Sequence, residues 1–440
     1  MKYLVNYNLK VLFYGLLFFW GQQVVAQESS RELSIDELFE IGIENSLQLK
    51  ASKIEEVIAD EQQRTALTER LPSLQIGLSA GLIGQPTIFE QGLSHPTYPT
   101  TPNWSQSYGI VLNQPIYQGG RIQYNIQKAD IQKQVAALAS TNNQAKVKLL
   151  LLEQYVALFS YYKECDVLRE NITESERRLT DIRRMRKEGV LTLNDELRSE
   201  LQLTNYKLSL QEAQHSITLA SIRLDIMLGL DESLLIIPDT IILHQKFDLQ
   251  DYESYLSEAY ENYPDMQIAR RNTQMAQTQT KLAKADYLPS LSLHADNTLA
   301  RPMSTSLADV YNNRWNIGLS LSYNLSSIYQ NRHRVHQAQQ MVQLSRNTQE
   351  QLKQDIRLQI RSAYIRHQEA LNRVEVLTLS VQQAQENYRI VQNRYLNQLS
   401  ILTDLLDASS VRLTAQLQLT TARSQTIYTY YELQRACGNL

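Results

Sequence analysis

Two hydrophobic periods divide the chain into helical and strand-like stretches. Most of the sequence spaces its apolar residues three and four positions apart, which is the spacing of one helix face. Two short stretches instead alternate apolar and polar residues, LPSLQIGLSAGL at 71–82 and LPSLSLHADNTL at 288–299. Alternation with a period of two is typical of a strand with one apolar face. The pattern therefore predicts a mainly α protein with a small β part.

The two alternating stretches belong to an internal duplication. They lie 217 positions apart, and beyond them the offset becomes 209. That offset places YGI at 108–110 on IGL at 317–319, and GVLTLNDEL at 189–197 on QLSILTDLL at 398–406. A fixed offset of this length indicates two structural repeats. Each repeat reads helix, strand, loop, strand, long helix, short break and helix.

The duplication and the composition of the N-terminus predict the domain organisation. Lys2 and Lys10 precede an apolar run, and small residues follow the run before Gln27, which is the build of a secretory signal peptide. We expect a signal peptide at 1–26, a first repeat at 27–230, an inter-repeat segment at 231–250 and a second repeat at 251–440.

The predicted strands are long enough to cross a bilayer. We place strands at about 73–83, 104–117, 290–299 and 314–325, and a strand of about 10 residues spans a membrane when tilted. Aromatic residues lie on or beside them, as in the interfacial belts of membrane proteins. A soluble antiparallel sheet with one solvent-exposed face has the same alternation. The pattern alone therefore does not distinguish a membrane-spanning sheet from a soluble one.

The predicted long helices carry a coiled-coil repeat. From Ile356 to Tyr395, apolar residues recur at alternating spacings of four and three, and the equivalent stripe runs from Val147 to Arg186 in the first repeat. Such a 3.5-residue repeat predicts helices that wrap around neighbours. We expect helices at about 34–70, 121–188 and 193–229, with helix-hairpin tips near 189–195 and 398–404.

Composition and motifs argue against several function classes. The formal net charge is −3, and −5 without residues 1–26, so a nucleic-acid partner is not expected. The chain has only two cysteines and no metal-ligand, nucleotide-binding or hydrolase motif. The pair His333 and His336 lies beside arginines without a nearby acidic partner, so we interpret it as hydrated. We expect no enzyme activity, no cofactor and no bound metal.

The sequence resembles the TolC-like outer-membrane efflux channels over essentially the whole mature chain. The resemblance rests on the duplicated layout, the LPSL strand entry, NQPIYQGGRI at 113–122 and the tip sequences GVLTLNDEL and SILTDLLDAS. It implies a homotrimer in the cell outer membrane, with a 12-stranded β-barrel that continues into a 12-helix coiled-coil α-barrel across the periplasm. Its expected partners are outer-membrane lipid, a periplasmic adaptor (membrane fusion) protein and an inner-membrane pump of RND or ABC type.

Four residues at the tips are candidate gate residues. Asp404 and Asp407 lie one helical turn apart, so three chains would form two stacked carboxylate rings, as pores that select cations do. The resemblance matches them to the aspartates of the periplasmic entrance, and matches Tyr395 and Asp195 to residues that hold the tips closed. Ser400 stands where the family has an arginine, so that lock is altered.

Three further residues mark the predicted strand-to-helix turn. Pro115, Gly119 and Gly120 match the family's turn, and glycines permit the positive φ that a sharp re-entry needs. In the second repeat the equivalent residues are Asn324, Ile328 and Tyr329. The predicted function is an exit duct of a tripartite efflux or type I secretion system. The alternative is an exported coiled-coil structural or adhesive protein.

Overall fold

A computed structural model of the protein describes residues 30–239, 247, 249–303 and 308–440. The predicted signal peptide at 1–26 lies outside the described residues. So do residues 240–246 and 248, which form much of the C-terminal half of the predicted inter-repeat segment. Within the described ranges, no helix combines the length and the apolar character needed to cross a membrane.

The described chain follows the predicted order of helices and strands. The first repeat contains β1 (Ser30–Leu33), α1 (Ile35–Asn45), α2 (Leu47–Thr68), β2 (Ser73–Leu82), β3 (Ile88–Gln91), β4 (Ser94–Thr97), β5 (Trp104–Gln118), α3 (Arg121–Lys187) and α4 (Leu193–Leu228). The segments that follow are β6 (Leu235–Pro238), α5 (Tyr252–Asn262), α6 (Pro264–Ala285), β7 (Ser290–Arg301), β8 (Asn312–Ser322), α7 (Ser327–Leu396) and α8 (Leu402–Cys437). The mainly helical fold class is confirmed.

The helix expected at 34–70 is two helices, which corrects the prediction. The chain leaves α1 at Ser46, whose ψ of 120° is not helical, and α2 begins at the next residue. The Ser46 hydroxyl accepts a hydrogen bond from the backbone N–H of Leu49 at 3.4 Å. A serine in this position satisfies a helix N-terminus and so separates the two helices.

One compact unit consists of residues 51–143 and 258–358, and its strands form a single antiparallel sheet. The strand order is β2-β5-β7-β8, with β5 and β7 in the centre. The register pairs Ile76 with Ile110, Ile110 with Asn297, and Asn297 with Trp315. Directly paired residues point to the same side of a sheet, so most apolar residues of the four strands share one face, although Asn297 also lies on it and Val111 lies on the other.

The other unit consists of residues 30–50, 144–257 and 359–440 and contains the main helical core. Its largest hydrophobic cluster includes Leu151, Leu158, Leu168, Leu224 and Leu228, each at most 1% exposed. The predicted coiled-coil stripe supplies much of this core, because the first-repeat seam is buried from Val147 to Ile182 at most of its positions. The inter-repeat strand β6 pairs in parallel with β1.

Candidate gate at the helix-hairpin tips

Each helix hairpin turns through a residue with positive φ. In the first tip, Gly189 has a φ of 77° and follows the end of α3. In the second tip the equivalent position is Gln398, which has a φ of 60°. Both turns close with a backbone bond back into the helix, from Val190 to the Met185 carbonyl and from Leu399 to the Arg394 carbonyl. Both long helices therefore end in a left-handed C-terminal cap, although only the first repeat has a glycine at this position.

Asp195 caps the N-terminus of α4. Its carboxylate accepts hydrogen bonds from the Thr192 backbone N–H at 2.9 Å and from the Thr192 hydroxyl at 2.6 Å. The Thr192 hydroxyl in turn accepts from the Asp195 backbone N–H at 3.3 Å. The Thr192 hydroxyl and backbone bonds lower the pKa of Asp195. This arrangement is a capping box, which fixes the start of the return helix.

Asp404 occupies the position in α8 that is equivalent to Asp195 in α4, but a different residue donates a hydrogen bond to its carboxylate. The helix begins after Ile401, whose side chain makes no capping hydrogen bond. The Ser400 hydroxyl donates to the Asp404 carboxylate at 2.7 Å instead. The residue that stands in place of the expected arginine therefore binds one of the candidate gate carboxylates within its own turn.

Asp407 lies on the same exposed side of α8 as Asp404. Both aspartates are exposed, whereas their neighbours Leu402, Leu405 and Ala408 are buried. These three buried residues pack with Ile182 and Tyr388 in a small hydrophobic cluster at the tips. The cluster fixes the rotation of α8 about its axis, so both carboxylates point away from the helix contacts of the chain.

Tyr395 is half-buried against this cluster, and its hydroxyl is buried without a hydrogen-bond partner. Burial raises the pKa of Tyr395, and the negative charge of Asp195 raises it further. The Asp195 carboxylate is held by Thr192, and no hydrogen bond from Tyr395 satisfies it in the described chain. The two residues are thus near enough to interact electrostatically, but no hydrogen bond joins them within the described chain.

The two hairpins are linked by side chains that the sequence did not single out. Arg198 of α4 donates to the Thr403 hydroxyl of α8 at 2.8 Å. Gln202 donates to the Leu406 carbonyl at 3.1 Å and to the Ser410 hydroxyl at 3.0 Å. These bonds join the return helices of the two repeats beside the candidate gate residues.

A buried charged cluster lies among the same helices. Arg412 of α8 is 6% exposed, pairs with Glu174 of α3 and lies 4.0 Å from the ring centroid of Tyr388 of α7. Arg178 of α3 is also buried, and it donates to the Tyr388 hydroxyl at 3.3 Å and to Gln202 of α4 at 2.8 Å. The cluster therefore connects the long and the return helices of both hairpins.

The cluster shifts the titration of two of its members. Burial would raise the pKa of Glu174, but hydrogen bonds from Arg412 and Tyr388, with the charges of Arg412 and Arg178, lower it overall. Burial, followed by the hydrogen bond with Glu174, raises the pKa of Tyr388 to about 12. The sequence showed Tyr388 as a polar residue on the coiled-coil seam, which was the only signal of this cluster.

The predicted strand-to-helix turn contains both glycines at positive φ, 63° for Gly119 and 86° for Gly120. A Cβ on Gly119 would lie 2.6 Å from the Ala285 carbonyl oxygen, so this position also requires glycine for packing. Pro115 lies at a β-bulge in β5, beyond the last residue of β5 that pairs with β2. Proline is tolerated within sheets at bulges and where a strand lacks a partner on one side.

The second repeat builds the same transition without glycine. β8 ends at Ser322, and α7 begins at Ser327, three residues before the equivalent of Arg121. The Asn324 carbonyl accepts from the Ser327 hydroxyl at 2.6 Å, and the Asn324 side chain accepts from the Ser326 backbone N–H at 3.1 Å. An asparagine turn of this kind replaces the glycine pair, which explains why β8 ends before the predicted residue 325.

Residues 255–439 match the family model described as outer membrane efflux protein. The outer membrane protein VceC from Vibrio cholerae is similar in structure, with a TM-score of 0.73, 18% identity, and coverage of 92% of this chain and 96% of that chain. No curated protein matches the chain in sequence.

Two further solved structures have the same fold. The CmeC outer membrane channel of Campylobacter jejuni gives a TM-score of 0.70 at 16% identity, covering 95% of this chain and 91% of that one. CusC gives a TM-score of 0.77 at 15% identity, covering 92% of each chain. The family match of residues 255–439, with a fold shared over at least nine tenths of the chain, confirms the predicted resemblance to the TolC-like outer membrane efflux proteins.

Proposed function

We propose that three copies of this chain form a passive exit duct of a tripartite efflux or type I secretion system. The duct would receive its substrate from a periplasmic adaptor and an inner-membrane pump and release it outside the cell. The observation that carries this proposal is the sheet β2-β5-β7-β8, which has one apolar face and two unpaired edges.

The apolar face of the sheet is strongly exposed in the single chain. Seven residues of the edge strands are between 64% and 73% exposed: Leu74, Ile76, Leu78, Trp315, Ile317, Leu319 and Leu321. The opposite face carries small and polar residues such as Ser79, Asp296 and Ser320. An apolar outer face and a polar inner face are the pattern of an outer-membrane barrel.

The two edges of the sheet explain why several copies are needed. β2 and β8 each pair on one side only within the described chain. Lipid offers no hydrogen bonds to a strand edge, so a membrane-spanning sheet must close. Four strands cannot close on themselves, whereas three chains supply twelve, which lies within the known range of barrels.

The tips support the docking of an adaptor. Apolar residues are exposed at both hairpin turns, with Val190 and Leu193 at 53% and 56% in the first tip. Leu399 and Ile401 are 68% and 66% exposed in the second tip. Exposed apolar groups at the end of a helical hairpin are typical of a protein interaction surface. The neighbouring aspartates Asp404 and Asp407 would then form carboxylate rings at the periplasmic mouth.

Charge substitutions on the two faces of β8 test the membrane location. Leu319→Arg would place a cation against lipid at a cost of about 2–4 kcal/mol per chain near the membrane centre. Ser320→Arg faces the lumen and serves as the matched control. We expect heat-resistant trimers in the outer membrane for the wild type and Ser320→Arg, and a large loss for Leu319→Arg. Equal yields, or trimers released as soluble material, would instead favour the exported structural or adhesive protein.

Photo-cross-linking tests the adaptor. A photoreactive residue at Leu399 should cross-link to a periplasmic protein that contains a helical hairpin. The same residue at Leu358, which is 70% exposed on α7, is the matched control and should not. Deletion of the gene for the captured protein should abolish export but leave trimers in place. Cross-linking that is equal at both positions would contradict docking at the tips.

A further inference from the structure

A polar cavity of about 660 Å³ lies where the sheet meets the helices in the unit of residues 51–143 and 258–358. Its floor is a row of three residues that are paired across neighbouring strands. Gln118 of β5 pairs with Ser290 of β7, and Ser290 pairs with Ser322 of β8. This row belongs to the polar face of the sheet. That the cavity lies in the lumen of a duct rests on the proposed function, but the chemical character of the residues that line it does not.

The charges around the cavity favour an anion. Arg121 forms an ion pair with Asp286, while Arg334 remains 3.9 Å from the same carboxylate and is 76% exposed. Two guanidinium groups thus share one carboxylate, which leaves an excess positive charge. Arg121 is also the first residue of α3, and Ser327 is the first residue of α7. Both helix N-termini therefore line the cavity and add to the positive potential.

The negative end of α6 does not cancel this potential. The last carbonyl groups of α6 are occupied, because Ala283 accepts from the Asn331 amide at 2.5 Å and Ala285 accepts from the Leu288 backbone N–H at 3.1 Å. The carbonyl of Lys284 accepts from the backbone N–H of Tyr287. The dominant fixed charges that face the cavity are those of Arg121, Arg334 and Asp286.

One buried group requires a hydrogen-bond donor. Asn331 lines the cavity and is 4% exposed, and its amide oxygen is buried without a partner in the described part of the chain. The bond from its amide nitrogen to Ala283 fixes the orientation of the side chain, so the oxygen remains unsatisfied. An unsatisfied buried acceptor is unfavourable unless a ligand or water supplies a donor. A bare anion has no donor to offer, whereas a hydroxyl group does.

We propose that this cavity binds a hydroxyl-bearing organic anion, with sugar phosphates as the class that fits. The phosphate would lie between Arg334 and the two helix N-termini, and a sugar hydroxyl would donate to Asn331. Gln118, Asn324 and Gln330 supply further groups that both donate and accept. The volume is in the range of small-molecule sites. Because the cavity opens on the polar face of the sheet, the ligand is a solute and not a lipid.

Calorimetric titration of the full-length protein in detergent with glucose 6-phosphate tests this site without any need for transport. We expect one site per chain, with tighter binding than for inorganic phosphate, which lacks the sugar hydroxyls, or for glucose, which lacks the phosphate. Arg334→Gln should weaken binding by about tenfold because it removes a charge-assisted contact. Arg332→Gln, an exposed neighbour that does not line the cavity, is the matched control and should bind normally.

A second variant tests the hydroxyl. Asn331→Leu should reduce the preference for glucose 6-phosphate over inorganic phosphate. If this variant does not fold, Arg334→Gln still tests the site. Three results would overturn the proposal: no binding to wild type, equal losses in Arg334→Gln and Arg332→Gln, or equal affinity for both phosphates. Competition by phosphatidylglycerol in nanodiscs would show a lipid headgroup site instead. Absence of binding in a protein that still forms trimers would leave the duct function intact.

Discussion

The hydroxyl of Ser400 donates a hydrogen bond of 2.7 Å to the carboxylate of Asp404. In the first repeat the equivalent carboxylate, Asp195, is held by Thr192, which is one position closer in the sequence. Both aspartates lie in the first turn of a return helix, where the helix dipole favours a negative charge. The repeats therefore keep an acidic cap at each tip with a different donor.

This relationship leads to a prediction for the gate. Asp404→Asn with Asp407→Asn should still assemble, because the side-chain volumes barely change and a lost dipole contact costs about 0.3–1 kcal/mol. If the six carboxylates of a trimer surround the periplasmic mouth, trivalent cations should block the wild-type channel from that side. Single-channel recording in planar bilayers should show that the double variant loses this block.

Asp231→Asn is the control for the gate experiment. Asp231 is an exposed aspartate whose pKa is lowered by hydrogen bonds from the backbone and the hydroxyl of Ser233, and it lies at the start of the inter-repeat segment. Block by trivalent cations should persist in this variant. If block also persists in the Asp404/Asp407 variant, both aspartates are solvated helix residues without a role in the pore.

Arg412 should stabilise the tips through its buried ion pair with Glu174. Arg412→Met would leave Glu174 without its cation, and breaking a buried pair in this way costs about 3 kcal/mol. We expect a clear fall in the melting temperature of the protein in detergent, measured by circular dichroism. Arg423→Met, an exposed arginine on the same helix, is the matched control and should change little.

A double variant distinguishes the ion pair from packing. Glu174→Gln in the Arg412→Met background removes the unpaired charge and should restore part of the lost melting temperature. An additive further loss would mean that Arg412 acts through its contact with the Tyr388 ring and not through Glu174.

The sequence predicted the strands well because alternation is a local signal. β2 begins at the predicted Ser73, and β5 spans Trp104–Gln118 against a prediction of 104–117. The turn after β8 was harder to predict, since the repeat offset places the start of α7 at residue 330. Asn324 forms a turn by itself and moves that start to Ser327.

The candidate site was only partly visible in the sequence. The spacing of Thr192 and Asp195 is that of a capping box, so the structural role of Asp195 was open to prediction from the residues alone. The pairing of Arg412 with Glu174 was not, because charged residues on a helix surface look solvated until the packing of neighbouring helices is known. Asp404 and Asp407 remain predicted gate residues whose role depends on the assembly.

Gly119→Ala should disrupt the junction between β5 and α3. A side chain at a φ of 63° is strained by about 1–2 kcal/mol, and the added Cβ would lie 2.6 Å from the Ala285 carbonyl oxygen. We expect a loss of trimers that resist heat in gel electrophoresis. Gly77→Ala is the control, since a Cβ there has no neighbour within 4 Å. Equal trimer stability in both variants would show that the backbone accommodates the change at Gly119.

Asp225 is a buried acid at the C-terminal end of α4. It is fully buried, and among the residues that the structure describes neither of its carboxylate oxygens has a hydrogen-bond partner. Burial, with smaller contributions from the negative charges of Asp231 and Glu232, raises its pKa from 3.8 to about 6. Ionisation is therefore less favourable in the folded than in the unfolded protein.

The sign of this shift determines how stability depends on pH. Below pH 3.8 the Asp225 carboxyl is protonated in the folded and the unfolded protein and has no effect on stability. Between pH 3.8 and about 6 it ionises in the unfolded protein first, so stability falls as the pH rises. Above that range the full destabilisation applies. At about 1.36 kcal/mol per pKa unit, the cost at neutral pH is about 2–3 kcal/mol. Asp225→Asn should therefore raise the melting temperature at pH 7.5, and this gain should shrink as the pH falls through 6. Glu212→Gln, which changes an exposed acid on the same helix, should give no such gain. A gain for Asp225→Asn that does not change with pH would show that the variant acts through packing and not through charge.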